Sequence, residues 1–407
     1  MSYKDDYYRL LNSYINNTII NTESNELRFF EKTLSSNKAE INHYEVNPFS
    51  SDYLTNILFK YYLNNNSFSK KYIFPDISEN INPFGCNNVF PYKILHPVNS
   101  KPAKDIIILM HGLNERDWSK YLTWACRLQK QTNKSVVLFP LSFHMERAPK
   151  EWGESRAMFQ LSKERTNLIT NLNFSTYANA ALSTRLNFEP ERFFLSGIQS
   201  YFDIIQFVEE IQSGKNELID KNAHIDFVGY SAGAFLGELL LMVNHKNLFS
   251  DSRLLLLCGG SVLEETYPVS KAILDSESVK VLKGYYIIDF EKKLSKNEYL
   301  TNIFSKYEDI GIIFKSMLST NKMNNLRNSL IKGLNNRLFV IALEKDNVFR
   351  VSGIKETFKN LDKRSIKIID FDYNYTHEKP FPEKSIYEEQ ITIGFDKFFN
   401  LAANFLK

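Results

Sequence analysis

The strongest structural signal in this chain is the stretch His224-Ile225-Asp226-Phe227-Val228-Gly229-Tyr230-Ser231-Ala232-Gly233-Ala234-Phe235. It predicts a short strand, a sharp turn and then a helix, with the pattern Gly-x-Ser-x-Gly at the turn. Gly229 and Gly233 leave room for the chain to reverse tightly around Ser231, because neither carries a side chain. The helix that begins at Ala232 directs the positive end of its dipole at the serine, so an anion formed there would be stabilised.

The composition indicates a folded protein with a large core. The chain has 407 residues, of which 43% are hydrophobic and 14% aromatic. This length suits one large domain with insertions or two domains. The net charge is only +3, and no run of lysine and arginine is present. We therefore expect no nucleic-acid partner.

The cysteines and the apolar runs bear on the cellular compartment. Cys86, Cys126 and Cys258 are widely spaced and odd in number, which is typical neither of a disulfide framework nor of a zinc site. The first residues lack the apolar segment of a signal peptide. No apolar run approaches the roughly 18 residues of a transmembrane helix. These features predict a cytoplasmic protein without a transmembrane segment.

Strands alternate with helices along most of the chain. Residues 105–110 are predicted to form a strand, and their apolar run from Ile106 to Met110 is typical of a strand buried on both faces of a parallel sheet. An amphipathic helix over 116–131 and a strand over 135–140 follow, as in α/β folds. Further strands are predicted over 253–258, 337–343 and 365–371. The segment 141–195 is too long for an ordinary crossover, and we expect a mostly helical insertion there.

Four segments are predicted from this pattern. Residues 1–75 form a mostly helical extension packed on the core, with a helix that includes Tyr53, Leu54, Ile57, Leu58 and Tyr61. Residues 76–260 form the first part of an α/β core, and Pro91 places the strand at 88–95 on an edge. Residues 261–335 lack strand patterns and are predicted to form a helical cap insertion. Residues 336–407 complete the core.

A serine nucleophile requires a base, and the base requires an acid that orients it. His377 follows the last predicted strand and Asp346 follows the strand before it. In a parallel sheet the carboxyl ends of the strands lie on one edge, which is where Ser231 is expected. The order Ser231, Asp346, His377 therefore arises from strand ends on a single edge.

With these residues the chain resembles the α/β-hydrolase superfamily of serine esterases and lipases, over about 75–260 and 336–407. The resemblance implies an α/β-hydrolase fold with Ser231 as nucleophile, His377 as base and Asp346 as orienting acid. It further implies an oxyanion hole formed by the backbone N–H groups of Leu113 and Ala232. The pair His111-Gly112 would support the oxyanion loop, and Gly229, Tyr230 and Gly233 would support the nucleophile turn.

Several of these assignments have structural alternatives. Asp346 could cap the following helix, and Glu344 and Glu264 are alternative acids. His377 could be a surface loop residue. His144 and Arg147 could contact an acidic substrate group, although a salt-bridged loop is the simpler interpretation. The remaining histidines have no partners at metal-ligand spacing, so we expect neither a metal nor a cofactor.

The sequence thus predicts a serine hydrolase that acts on a small carboxylic ester. Thioesterase, peptidase and acyltransferase chemistry use the same residues, and a non-catalytic binding module of the same fold is a further alternative. The predicted cap is rich in apolar residues and would form an apolar lid that favours an apolar acyl group. These residues are Tyr267, Tyr285, Tyr286, Ile287, Ile288, Phe290, Ile312, Ile313 and Phe314.

Overall fold

A nine-stranded sheet organises the described part of the chain. The computed structural model describes residues 2–38, 41, 73 and 85–407. In sheet order the strands are β1 (Ile20–Asn21), β2 (Glu26–Ser35), β3 (Val89–Pro97), β5 (Ser135–Phe139), β4 (Ala103–Met110), β6 (Ile219–Tyr230), β7 (Leu254–Leu257), β8 (Leu338–Leu343) and β9 (Ile366–Ile369). The strands from β5 to β9 pair in parallel, whereas β3 runs antiparallel to both of its neighbours. This strand order and the parallel centre are those of the α/β-hydrolase fold, as the sequence predicts.

The central strand β4 separates two hydrophobic cores. Ile106, Ile108 and Met110 contribute to one core, whereas Ile107 and Leu109 contribute to the other. Successive side chains of a strand point to opposite faces, so a strand covered on both sides is apolar throughout. The continuous apolar run from Ile106 to Met110 therefore reflects helices on both faces of the sheet.

Helices cover both faces of the sheet in the described part of the chain. They are α1 (Tyr3–Ile15), α2 (Gly85–Asn88), α3 (Ser119–Thr132), α4 (Ser155–Leu168), α5 (Ala180–Phe188), α6 (Arg192–Gln212), α7 (Ala232–Val243), α8 (Ser276–Lys283), α9 (Phe290–Leu294), α10 (Glu298–Lys306), α11 (Glu308–Ser316), α12 (Asn324–Gly333), α13 (Val351–Thr357) and α14 (Glu388–Leu406), with a π-helix at Gly284–Ile288. The helices α1, α3 and α14 pack together on one face, and α6 and α7 lie on the other.

Part of the N-terminal segment joins the sheet, a feature that the prediction of a mostly helical extension over 1–75 does not include. In its described part only α1 is an α-helix, and β1 and β2 add two strands. Strand β2 pairs along its whole length with β3, which lies about 60 residues further along the chain. Because that partner is distant in sequence, the pairing leaves no local signal. The helix predicted around Tyr53 to Tyr61 lies outside the described residues.

The strand that contains Pro91 is not at the edge of the sheet, contrary to the prediction. β3 pairs with β2 on one side and with β5 on the other. Its pairing with β5, however, involves only Lys93 to Leu95. At Pro91 the strand is paired on one side alone, so the missing N–H is tolerated there as it is on an edge strand.

The two long segments between strands are helical, in agreement with the sequence pattern. Residues 141–195 contain α4 and α5, and residues 261–335 contain α8 to α12. α5 packs against α8, and α11 packs against α7, which is the helix that follows Ser231. Both segments therefore lie over the same part of the core.

Candidate active site

Ser231 lies at a strained turn between β6 and α7. Its backbone angles are φ 57° and ψ −116°, a region that residues with a side chain rarely occupy. A Cβ atom at Gly229 would lie 2.5 Å from the carbonyl oxygen of Gly233, and one at Gly233 would lie 2.5 Å from that of Met110. Glycine is therefore required on both sides of the serine, and this steric condition holds the turn.

Ser231, His377 and Asp346 form a continuous chain of hydrogen bonds. His377 Nε2 is 2.9 Å from Ser231 Oγ, and His377 Nδ1 is 2.8 Å from Asp346 Oδ2. All three residues are buried. A carboxylate only accepts hydrogen bonds, so Nδ1 carries the ring proton and Nε2 is left to accept the proton of the serine hydroxyl. This geometry suits a general base beside a nucleophile.

Asp346 also caps the loop that it begins. Its second oxygen, Oδ1, accepts hydrogen bonds from the backbone N–H groups of Val348 and Phe349, at 2.8 and 2.9 Å. Asp346 therefore has both roles: it caps the backbone, as the structural alternative predicts, and it contacts His377. Because both carboxylate oxygens are occupied, the orientation of Oδ2 toward the imidazole is fixed.

The two alternative acids do not contact His377. Glu264 Oε2 accepts hydrogen bonds from the hydroxyl groups of Ser319 and Thr320, at 2.8 and 2.9 Å. Glu344 is exposed on the surface. Of the three candidate acids, only Asp346 is within hydrogen-bond distance of the imidazole.

The imidazole of His377 lies between two aromatic rings. The ring of Tyr230 stacks on it at 5.3 Å, and that of Phe349 stacks at 5.6 Å. The hydroxyl of Tyr230 donates to the backbone carbonyl of His377. Two stacked rings and one hydrogen bond to its backbone therefore hold His377 in place, so it is not a free surface residue.

His111 fixes the peptide group that carries the Leu113 N–H. The backbone N–H of Leu141 donates to His111 Nε2 at 2.9 Å, which places the ring proton on Nδ1, and Nδ1 donates to the carbonyl of Gly112 at 2.8 Å. Burial holds the pKa of His111 well below its ordinary value, so the ring stays neutral. In a planar trans peptide the N–H points away from the C=O, so the contact to Gly112 also sets the direction of the Leu113 N–H.

The N–H groups of Leu113 and Ala232 donate to no residue in the described part of the chain. The Gly112 N–H, in contrast, donates to the hydroxyl of Tyr121 at 3.1 Å. A Cβ atom at Gly112 would lie 3.3 Å from the Cβ of Ser231. The oxyanion loop thus packs directly on the serine, and Leu113 and Ala232 retain donors that could serve a ligand.

Two cavities that differ in polarity meet at Leu113 in the described part of the chain. The first is apolar, borders Ala232 and is lined mainly by Leu113, Leu141, Phe143, Trp152, Leu182, Leu186, Phe193, Phe194, Ile198, Phe235, Leu236, Leu239, Ile310 and Phe314. The second, called the polar cavity below, contains Ser231 and His377 and combines aromatic and aliphatic residues such as Trp124, Ile273 and Phe381 with polar and charged ones, including Tyr3, Tyr7, Asn114, Glu115, Asp117, Lys120, Glu378, Lys379 and Glu383. The candidate nucleophile therefore lies between an apolar and a polar compartment.

The predicted apolar lid is present only in part. Phe314 lines the apolar cavity, and Tyr286 and Phe290 are buried beside it in the same core. Ile288, however, is 75% exposed and faces away from the core. The ring of Tyr267 lies under the guanidinium of Arg350 rather than in a cavity.

His144 and Arg147 do not form a cationic substrate site. Arg147 is completely buried and pairs with Asp203 at 2.7 Å, which is the structural role that the sequence favours. His144 Nδ1 donates to the carbonyl of Ser142 at 2.9 Å, and the residue lines the apolar cavity. Burial lowers its pKa to about 4, so its ring is neutral near pH 7.

Some site residues are absent from the sequence prediction. Tyr121 bridges the Gly112 N–H and Glu115, which is 3.1 Å from the hydroxyl. Tyr3 and Tyr7 of α1 line the polar cavity. Their spacing of four residues places them on one helix face, but which surface that face covers depends on how α1 docks.

The described residues contain no cluster of three metal-ligating side chains. Cys126 and Cys258 are buried as free thiols, and Cys86 is half-buried. None of the helices in the described ranges is long and apolar enough to cross a membrane.

The sheet order, together with a serine at a tight strand-to-helix turn, defines this protein as an α/β-hydrolase by fold. Comparison of the sequence then gives its family: the chain belongs to the family of unknown function DUF6051, which it matches over residues 1–407. No curated protein matches the sequence.

Several solved esterases are similar in structure at low sequence identity. A thermostable esterase of Pseudomonas putida shares 11% identity, with a TM-score of 0.46 over 100% of this chain and 91% of that one. The esterase of Pyrobaculum calidifontis shares 12%, with a TM-score of 0.43 over 98% and 89%. Carboxyl esterase 2 of the fungus Tuber melanosporum shares 13%, with a TM-score of 0.42 over 79% and 84%.

Proposed function

We propose that this protein is a serine hydrolase that cleaves carboxylic esters. The observation that supports this proposal is the catalytic relay, by which we mean the continuous hydrogen bonds among Ser231, His377 and Asp346. Ser231 Oγ lies 2.9 Å from His377 Nε2, and His377 Nδ1 lies 2.8 Å from Asp346 Oδ2. A serine hydroxyl is a weak nucleophile unless such a base removes its proton. The strained backbone and the two flanking glycines present this hydroxyl at the start of a helix.

The reaction would proceed in two stages. Ser231 Oγ attacks the ester carbonyl carbon while its proton passes to His377 Nε2. The carbon–oxygen bond to the alcohol then breaks, and His377 returns the proton to the departing oxygen, which leaves an acyl group on Ser231. Water, deprotonated by the same imidazole, attacks the acyl-enzyme and releases the acid and the free serine. Asp346 holds the correct tautomer and stabilises the imidazolium.

The oxyanion formed in each stage would be bound by the backbone N–H groups of Leu113 and Ala232. Each such donor is typically worth about 3–4 kcal/mol in the transition state. His111 would contribute indirectly, since it orients the peptide that carries the Leu113 donor. The apolar cavity that borders both donors would hold an apolar acyl group.

The test is hydrolysis of a series of nitrophenyl esters that differ in acyl length. Ser231→Ala should abolish turnover, whereas Ser250→Ala, an exposed serine, serves as the matched control and should have the activity of the parent. Turnover that survives Ser231→Ala would refute the proposal. Thioesters, peptides and alternative acyl acceptors in the same assay separate the thioesterase, peptidase and acyltransferase alternatives.

A non-catalytic binding module is the alternative from another class. Loss of a member of the relay would favour it, but Ser231, His377 and Asp346 are all present and hydrogen-bonded. A folded protein that turns over no member of these panels would favour the binding module instead.

A further inference from the structure

The position of His377 decides which cavity receives the leaving group, if the proposed function holds. The imidazole must deliver its proton to the departing alcohol oxygen, so the alcohol has to lie on the His377 side of the scissile bond. His377 and Ser231 line the polar cavity and do not line the apolar one. The alcohol half of the substrate therefore belongs in the polar cavity and the acyl half in the apolar cavity.

The N-terminal helix forms part of the polar cavity through Tyr3 and Tyr7. It is held there by the backbone N–H of Tyr3, which donates to Thr392 of α14 at 3.0 Å, and by the ring of Tyr3 against those of Phe381 and Phe395. Phe381 follows the His377 loop and lines the same cavity. The extension is thus joined to the loop that carries the candidate base.

Carboxylates outnumber ammonium groups around the polar cavity by four to two. Lys120 pairs with Glu115, and Lys379 pairs with Glu383 at 3.2 Å. In the described part of the chain, Asp117 and Glu378 have no basic partner within ion-pair distance. Asp117 Oδ1 accepts hydrogen bonds from the backbone N–H and the hydroxyl of Ser119, so the surplus in this cavity is one of negative charge.

Alkyl or anionic alcohols would fit this cavity poorly. An alkyl group would desolvate the carboxylates without pairing them, and an anion would be repelled by them. A group with positively polarised hydrogens or a positive charge satisfies the same oxygens. Aromatic rings such as that of Tyr7 can also bind a cation through their faces.

We propose that the polar cavity, with the N-terminal helix as one wall, selects esters whose leaving group is a polyol or a cationic alcohol. Tyr7 is the specificity residue of this site that is most open to test, because it is half-buried on the helix surface and lines the cavity. Ile15, on the same helix, is 70% exposed and does not line the cavity. The pair provides matched variants on one helix.

The experiment compares esters of one acid, butyrate, with the full-length protein. The alcohols are glycerol, its alkyl counterpart propanol, choline, and the uncharged carbon isostere of choline. We expect the glycerol ester to exceed the propyl ester, or the choline ester its isostere, by about tenfold or more in kcat/KM, because unpaired polar groups in a site reject the apolar analogue. A larger ratio for the glycerol and propyl pair identifies a polyol as the preferred leaving group. A larger ratio for choline and its isostere identifies a cationic alcohol.

Tyr7→Ala should lower the larger of these selectivity ratios by about 3- to 10-fold, and Ile15→Ala should leave it within about twofold. A propyl ester and a carbon isostere that react as fast as their polar partners would overturn this inference, as would equal effects of the two variants. Those results would leave the proposed function standing, provided that Ser231→Ala abolishes turnover of every ester. Turnover that survives Ser231→Ala would instead contradict the proposed function, and the leaving-group selectivity that rests on it would fall as well.

Discussion

The backbone strain at Ser231 can be measured separately from catalysis by replacing the serine with alanine and with glycine. Both variants lose the hydroxyl and its hydrogen bond to His377, which is 2.9 Å in the parent. They differ in one atom, the Cβ, which alanine keeps and glycine lacks. At φ 57° and ψ −116° this Cβ is the source of the steric conflict. The comparison therefore isolates the strain.

The expected difference follows from two opposing contributions. Relief of a backbone conformation of this kind is worth about 1–3 kcal/mol. Glycine also gives the unfolded chain more freedom, which costs about 0.5–1 kcal/mol relative to alanine. The strain relief exceeds the entropy cost, so Ser231→Gly should be more stable than Ser231→Ala by about 1 kcal/mol.

Guanidinium titration of the two variants, followed by circular dichroism, measures this difference as a shift in midpoint at equal slope. Gly197→Ala provides a control for the glycine–alanine exchange at an unstrained position, because a Cβ at this helical residue meets nothing within 4 Å. A Ser231→Gly variant that is less stable than Ser231→Ala would show that the backbone is not strained at the serine.

Three further changes have defined outcomes. Gly233→Ala should destabilise the protein by about 1–3 kcal/mol in the same titration, because the new Cβ would lie 2.5 Å from the carbonyl of Met110. Asp346→Asn should lower kcat by about 10³–10⁴-fold with the fold retained, because the amide favours the wrong tautomer of the base. Burial lowers the pKa of His144 from 6.5 to about 4, so the unfolded chain takes up the proton first and stability falls as the pH drops through this range. His144→Gln should reduce that fall in titrations at several pH values.

A different outcome for any of the three variants would contradict the prediction made for it. A Gly233→Ala variant as stable as the parent would show that the turn tolerates a side chain. An undiminished kcat in Asp346→Asn would show that this carboxylate does not orient His377 for catalysis. An unchanged pH dependence in His144→Gln would mean that the imidazole is not buried in its neutral form.

Local sequence patterns predict the centre of the fold well. The apolar runs of β4, β7 and β8 are long enough to identify strands covered on both faces, and the glycines around Ser231 identify the turn. Because parallel strands end at one edge of the sheet, His377 and Asp346 could be placed near the serine from their positions alone. The distances between their side chains come only from the three-dimensional packing.

Features that depend on distant contacts were not predictable in the same way. β2 takes its place in the sheet through a partner about 60 residues away, and its own sequence includes charged residues between the apolar ones. Pro91 is tolerated inside the sheet because one neighbour ends before it. The role of Tyr3 and Tyr7 in the polar cavity depends on the docking of α1 on α14, which no local pattern encodes.

We propose that Ser231 is a nucleophile activated by His377. Treatment of the purified protein with a fluorophosphonate, followed by mass spectrometric mapping of the labelled peptide, tests this role without a known substrate. We predict labelling at Ser231 in the parent and in Ser250→Ala, and its loss in His377→Ala. Absence of label in the folded parent, or equal labelling of Ser231 in His377→Ala, would mean that Ser231 is not a nucleophile activated by His377.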